Sequence, residues 1–173
     1  MKFVTCTLEA HGKAILDIFN EQIRTSAGLY DYEERTPESM VAWFKAKETK
    51  GYPVIGVVDE AGMLMGFASY GMFRDRPANK YTVEHSVYIH QDHRGKGLGL
   101  ALMERLIEAA RAQDLHVMVA GIDAGNTVSI AMHEKLGFVY AGTIRECAFK
   151  FGRWLDLVFY QLTLQTPKHP LEG

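Results

Sequence analysis

His93-Arg94-Gly95-Lys96-Gly97-Leu98-Gly99-Leu100 is the stretch on which the fold of this chain turns. Its alternating glycines follow an apolar and aromatic run from Tyr81 to His90, and they precede a segment with Leu102, Leu106 and Ala110 on one helical face. A strand that turns through glycines into a helix lets consecutive backbone N–H groups converge without interference from Cβ atoms. The helix start carries roughly half a positive charge, and Arg94 and Lys96 add full ones, so the turn is an anion cradle suited to a pyrophosphate. A P-loop would need GxxxxGK followed by Ser or Thr, but Lys96 is followed by Gly97. A dinucleotide site would need GxGxxG near the first strand with an acid about 20 residues on. Neither pattern fits, which leaves a pyrophosphate loop of another kind or a glycine-rich turn with no ligand.

Outward from this loop the elements alternate. Phe3 to Cys6 suits a strand, and Ile15, Ile18, Phe19 and Ile23 recur at helical spacing. Thr36-Pro37-Glu38 combines a side-chain cap, a residue preset in φ and an acid at the positive dipole end, which predicts a helix to about Lys50. Val54 to Val58 and Leu64 to Tyr70 flank Asp59-Glu60-Ala61-Gly62 as a hairpin. After the central strand, loop and helix come a strand from Val117 to Ala120 and a helix from Asn126 to Leu136 closed by Gly137. Strands from Phe138 to Ile144 and from Leu155 to Leu164 complete the order βααβββαβαββ. Residues 1–166 read as a single α/β domain and residues 167–173 as a frayed tail.

Composition narrows the function classes. The chain has 173 residues, 47% of them hydrophobic, enough for one substantial core. Its formal net charge is −2, so no global basic field draws nucleic acid or an anionic membrane. No window approaches the ~18 apolar residues of a membrane span, and the N-terminus lacks a secretory pattern. Cys6 and Cys147 stand far apart in apolar surroundings without metal-ligand spacing, as core thiols in a reducing compartment. A cytoplasmic protein with a small-molecule partner and no metal is expected.

Arg94-x-x-Gly97-x-Gly99 resembles the acetyl-CoA pyrophosphate loop of the GNAT superfamily, whose element order matches nearly the whole chain. The resemblance narrows through Tyr81-Thr-Val-Glu-His-Ser-Val-Tyr-Ile89, Val117-Met-Val-Ala-Gly121, Asn126-x-x-Ser129-Ile130, Leu136-Gly-Phe138 and Lys150-Phe-Gly-Arg-Trp-Leu-Asp156. Together these are similar to the phosphinothricin and methionine sulfoximine acetyltransferases. The resemblance implies a mixed, mostly antiparallel sheet flanked by helices, acetyl-CoA as co-substrate and a homodimer. It implies donor contacts from Arg94 through Leu100, including Gly95, Lys96, Gly97, Leu98 and Gly99, and from Val87, Tyr88, Ile89 and Lys135.

Acetyl transfer needs a base for the amine, polarisation of the thioester and a proton for the leaving thiolate. Glu84 stands mid-strand in apolar surroundings, where a carboxylate is paired, exposed or functional. The resembled branch uses this glutamate as general base. His85 points to the opposite face of a regular strand, so it shares a substrate with Glu84 only across a bulge. Such a bulge, characteristic of the superfamily, would free a backbone N–H near Val87 or Tyr88 for the thioester oxygen. His133 occupies the position where many relatives carry a tyrosine that protonates the sulfur, and an imidazole is a conditional donor there, with simple packing as the alternative. Asn126 and Ser129 are N-cap residues as well as polar contacts for the donor.

Phe73, Arg74, Asp75 and Arg76 lie on a loop before the Glu84 strand, where a guanidinium could clamp a carboxylate or phosphinate, or where the charges are simply solvated. The resemblance adds Ser86 and, more weakly, Tyr30 to this acceptor pocket. Trp154 is expected to be buried against the sheet, its segment serving also as a dimer contact. The expected reaction is direct attack of a small amino acid's amine on the thioester. A protein N-terminus, lysine or polyamine as acceptor, or a silent acetyl-CoA sensor, are the competing readings.

Overall fold

The computed structural model describes residues 1–172. The elements are β1 (Lys2–Thr5), α1 (Leu8–Thr25), α2 (Pro37–Lys50), β2 (Val54–Val58), β3 (Leu64–Met72), β4 (Thr82–Ile89), α3 (Leu98–Ala112), β5 (Val117–Asp123), α4 (Thr127–Lys135), β6 (Val139–Lys150) and β7 (Arg153–Thr163), with short 3-10 turns at Pro77–Asn79 and Gln91–His93. The strand order is β1-β2-β3-β4-β5-β7-β6. The β4–β5 pair is parallel and the β1–β2, β2–β3, β5–β7 and β6–β7 pairs are antiparallel, so the mixed, mostly antiparallel GNAT-type sheet is found. The chain divides into two compact units, and β4 is divided between them after His85.

The first unit comprises Met1–Tyr70 and Ser86–Leu106. Its helices begin where side chains take up orphan N–H groups. Thr7 Oγ1 accepts from Ala10 N, and Thr36 with Ser39 forms a capping box ahead of Pro37. The face of α1 that carries Ile15, Ile18 and Phe19 packs with Met40 and Phe44 of α2 on Val54, Val58, Leu64 and Phe67. Each such fully buried side chain contributes about 1.5–3 kcal/mol, so burial of this stripe holds both helices in place. The hairpin turn forms as expected, with Asp59 Oδ1 accepting from Ala61 and Met63 N–H at 2.9 and 2.8 Å.

The second unit comprises Gly71–His85 and the described chain from Ile107. Strand β5 pairs in parallel with β4 from Thr82↔Val117 to Glu84↔Val119, without a register shift, and antiparallel with β7 along its whole length. Both β5 and β6 outrun their expected ends. Gly121 to Asp123 continue β5, and Arg145 to Lys150 continue β6, whose outer edge has no neighbour in the strand order. Polar residues on an open edge break the alternation from which strand length is read. Phe151 and Gly152, at φ +53° and +71°, close the β6–β7 hairpin as a two-residue turn.

Three expectations need correction. Trp154 is 59% exposed, because the edge hairpin carries it outward beside Phe149. Cys147 is exposed while Cys6 is buried, so only one thiol belongs to a core. The tail is anchored: the Leu171 N–H donates to Tyr81 Oη at 3.0 Å, and Thr166 Oγ1 donates to the Leu115 carbonyl. Gly173 lies outside the described residues.

Candidate functional site

In the first unit, the end of β4 feeds the glycine loop. Gly95 and Gly97 both have φ of +75°, a conformation that side chains resist, and a Cβ at either would meet nothing within 4 Å. The first turn of α3 closes with Ala101 N–H on the Gly97 carbonyl at 3.2 Å, so the N–H groups ahead of it have no intrahelical acceptor. Open space, left-handed glycines and a helix start together fit a diphosphate. Both of the loop's cations have partners within the protein. Lys96 Nζ donates to the Asp92 carbonyl at 3.0 Å, and Arg94 Nε donates to the Ile89 carbonyl at 3.3 Å. The Arg94 guanidinium also pairs with the Glu21 carboxylate of α1. Tyr88 turns its ring to Phe19 and Phe67, at centroid distances of 5.3 and 5.6 Å. Val87 and Ile89 are half-buried, Leu98 is buried, and Gly99 and Leu100 sit in the first turn of α3.

In the second unit, Glu84 lies in register with Val119 and reaches over Gly121. A Cβ on Gly121 would lie 2.8 Å from Glu84 Oε1 and 3.6 Å from Leu157 and Phe159 atoms. The carboxylate therefore uses the space a side chain would fill. Burial raises the Glu84 pKa above the usual carboxylate range, a shift that suits a base working near neutrality.

His85 points the other way, as regular alternation requires. Its Nε2 lies 2.8 Å from His133 Nε2, with the rings stacked at 5.0 Å and Phe138 edge-on to both. His133 Nδ1 is 2.7 Å from the Ser129 carbonyl. A carbonyl can only accept, so in the neutral ring Nδ1 carries the hydrogen and Nε2 is bare. His85 must then donate from its own Nε2, which leaves His85 Nδ1 as a bare nitrogen, and that atom is buried without a hydrogen-bond partner. Burial, reinforced by His133 and slightly opposed by the Val119 backbone, pushes His85 down to about 3. Burial also lowers His133, opposed by its bond to Ser129. The neutral pair has both His133 nitrogens committed inside the protein.

Asn126 caps α4, its Oδ1 accepting from Ser129 N–H at 3.1 Å, and Ser129 Oγ lies 3.4 Å from His133 Nδ1. Lys135 is exposed in the last turn of α4. Arg74, Asp75 and Arg76 are exposed and Phe73 is half-buried on the loop after β3, in the same unit as Glu84. Ser86 and Tyr30, both half-buried, belong to the first unit. Among the described residues no cluster of His, Cys, Asp or Glu could hold a metal.

Two residues escaped the reading of the sequence. Gly121 could have been flagged, since a glycine inside a strand marks a close approach. Glu21 could not, because nothing local ties a helical glutamate to a loop 73 residues away.

The Acetyltransferase (GNAT) family description matches residues 13–138. An L-methionine sulfoximine/L-methionine sulfone acetyltransferase from Pseudomonas paraeruginosa is 47% identical over 87% of each chain. The L-amino acid N-acyltransferase of Escherichia coli is 44% identical over 91% of each. The crystal structure of a phosphinothricin acetyltransferase from Sinorhizobium meliloti, in complex with acetyl-CoA, is 32% identical. It superposes with a TM-score of 0.94 over 99% of this chain and 94% of that one.

Proposed function

The chain belongs to the acetyltransferase (GNAT) family, and from that membership we propose that it acetylates the amine of a small amino-acid-like substrate by direct attack in a ternary complex. Methionine sulfoximine, methionine sulfone and phosphinothricin, the compounds named for its relatives, define the substrate type. Acetyl-CoA supplies an activated carbonyl and a thiol leaving group.

The observation that carries the reading is Glu84, a partly buried carboxylate with raised pKa, given room by Gly121. Glu84 takes the proton of the amine, through a water, and so exposes the nitrogen lone pair. Backbone N–H groups from Gly95 to Leu100 hold the diphosphate, and the N–H of Val87 or Tyr88 serves the thioester oxygen. Asn126, Ser129 and Lys135 offer polar contacts to the rest of the donor. Arg74 or Arg76 clamps the acceptor's anionic group, with Phe73 and Asp75 beside them on the same loop, and Ser86 and Tyr30 are the acceptor contacts proposed for the first unit. His133, with both nitrogens engaged, works with His85 as a neutral support, and a water supplies the proton to the leaving thiolate.

A homodimer is part of the proposal. Val139, Tyr140, Ile144, Phe149, Phe151 and Trp154 are all exposed on the β6–β7 hairpin, and a second copy of the chain is the occupant that would cover them. Free Cys6 and Cys147 fit a cytoplasmic setting.

Glu84→Gln tests the base. It should lower kcat about a hundredfold or more while acetyl-CoA affinity stays within twofold, and unchanged turnover would sink the assignment. A competitive panel read by thiol release tests the acceptor. Amino-acid analogues should outrun peptide N-termini and polyamines, and the opposite ranking would move the enzyme to those acceptors.

A further inference from the structure

We propose that Glu21 is a positioning residue for acetyl-CoA binding: it rivets Arg94, and through Arg94 the glycine loop, to helix α1. The inference rests on the reading of that loop as the diphosphate site.

Arg94 opens the R-x-x-G-x-G signature, and its charge would naturally be assigned to the diphosphate. Two of its five N–H donors are already engaged inside the protein. The Nε–H is on the Ile89 carbonyl at the end of β4, and Nη2 is on Glu21 Oε2. Glu21 is built to receive it. The glutamate side chain is only 13% exposed, its Oε1 accepts from Thr25 Oγ1 at 2.7 Å, and its Oε2 also accepts from Gln22 Nε2 at 3.2 Å. A carboxylate held by three donors and largely withdrawn from water does not give up its cation freely.

Arg94 is thus fastened at two points immediately before Gly95, where the backbone first enters the left-handed region. Lys96, the loop's other cation, is fastened to the Asp92 carbonyl. The side chains hold the loop, and the backbone N–H groups are left for the ligand. A cradle fixed before its ligand arrives loses less conformational freedom on binding. Glu21 therefore acts on donor affinity through Arg94 without touching the donor.

A double-mutant cycle separates this from direct phosphate contact. Glu21→Gln, Arg94→Met and the double variant are compared with the wild type for acetyl-CoA KM, kcat and thermal midpoint. Each single variant should raise KM about tenfold with kcat within twofold, and the double should be no worse than the worse single. The exchanged pair Glu21→Arg with Arg94→Glu should recover most of the loss. A much larger KM effect for Arg94→Met, adding to that of Glu21→Gln, would show Arg94 to be a phosphate ligand and overturn the rivet. So would a fall in KM for Glu21→Gln, or a lowered thermal midpoint with KM unmoved. Failure of the wild-type protein to bind acetyl-CoA in calorimetry is a different result, which removes the loop reading itself.

Discussion

Replacing Gly121 by alanine adds one methyl group to the protein and places it against the proposed base. The new Cβ would stand 2.8 Å from Glu84 Oε1, whereas ordinary contact begins near 3.4 Å. Leu157 and Phe159, at 3.6 Å, already touch the site from the β7 side, so the relief must come from the carboxylate, which withdraws by about 0.6 Å. That movement is easy for the end of a flexible side chain. Gly121 shows no left-handed φ, so alanine in its place strains no backbone and removes unfolded-chain entropy worth about 0.4–1 kcal/mol. Catalysis is less forgiving, since a displacement of about 1 Å can lower a rate about a hundredfold. Gly121→Ala should therefore melt at or slightly above the wild-type temperature and bind acetyl-CoA within twofold of wild type. Its kcat, followed by thiol release, should fall roughly ten- to a hundredfold. A variant that keeps full kcat would refute the placement of the base over Gly121, and one that fails to fold would refute the geometry of the strand.

Three further outcomes follow from the same geometry. His85 sits near 3 when folded against an ordinary 6.5, so the unfolded chain binds more protons in between. Its stabilising contribution is complete above pH 6.5 and declines as pH falls toward 3, by about 3 kcal/mol at pH 4.5. Urea unfolding at pH 7 and 4.5 should show that loss, smaller in His85→Gln, and a flat wild-type profile would count against the buried neutral pair. The raised pKa of Glu84 places the acid limb of kcat/KM above the usual carboxylate range, so a limb at the ordinary position would argue for another base. Trp154→Asp on the exposed hairpin should convert a dimer to monomers in light scattering, and an unchanged mass for wild type and variant would remove this face from the interface.

Much of the fold could be read from local chemistry. The Thr36-Pro37 helix start, the Asp59 to Gly62 turn and the glycine-opened helix α3 each carry their instruction within a few residues, and each forms where expected. The continuation of β6 beyond Ile144 did not announce itself, because Arg145 and Glu146 lie where pairing with β7 is interrupted and no buried face imposes a period of two. Trp154 misled for a related reason: an indole says that it wants cover, and nothing in the sequence says whether its own fold or another chain provides it. At the site, alternation along β4 was enough to separate Glu84 from His85. The partners of His85 and Arg94 were invisible, since they lie 48 and 73 residues away and are set by packing.

The interruption in β6 also governs what kind of assembly this chain can enter. Between Ile144 and Ala148 the register with β7 shifts, Glu146 takes φ +48°, and its N–H turns inward to Asp156 Oδ1 at 2.8 Å. An edge so broken cannot template an endless ladder of added strands. If two copies meet through this hairpin as proposed, the broken edge works against growth by strand addition, and the same few residues that shorten the pairing guard against a fibre.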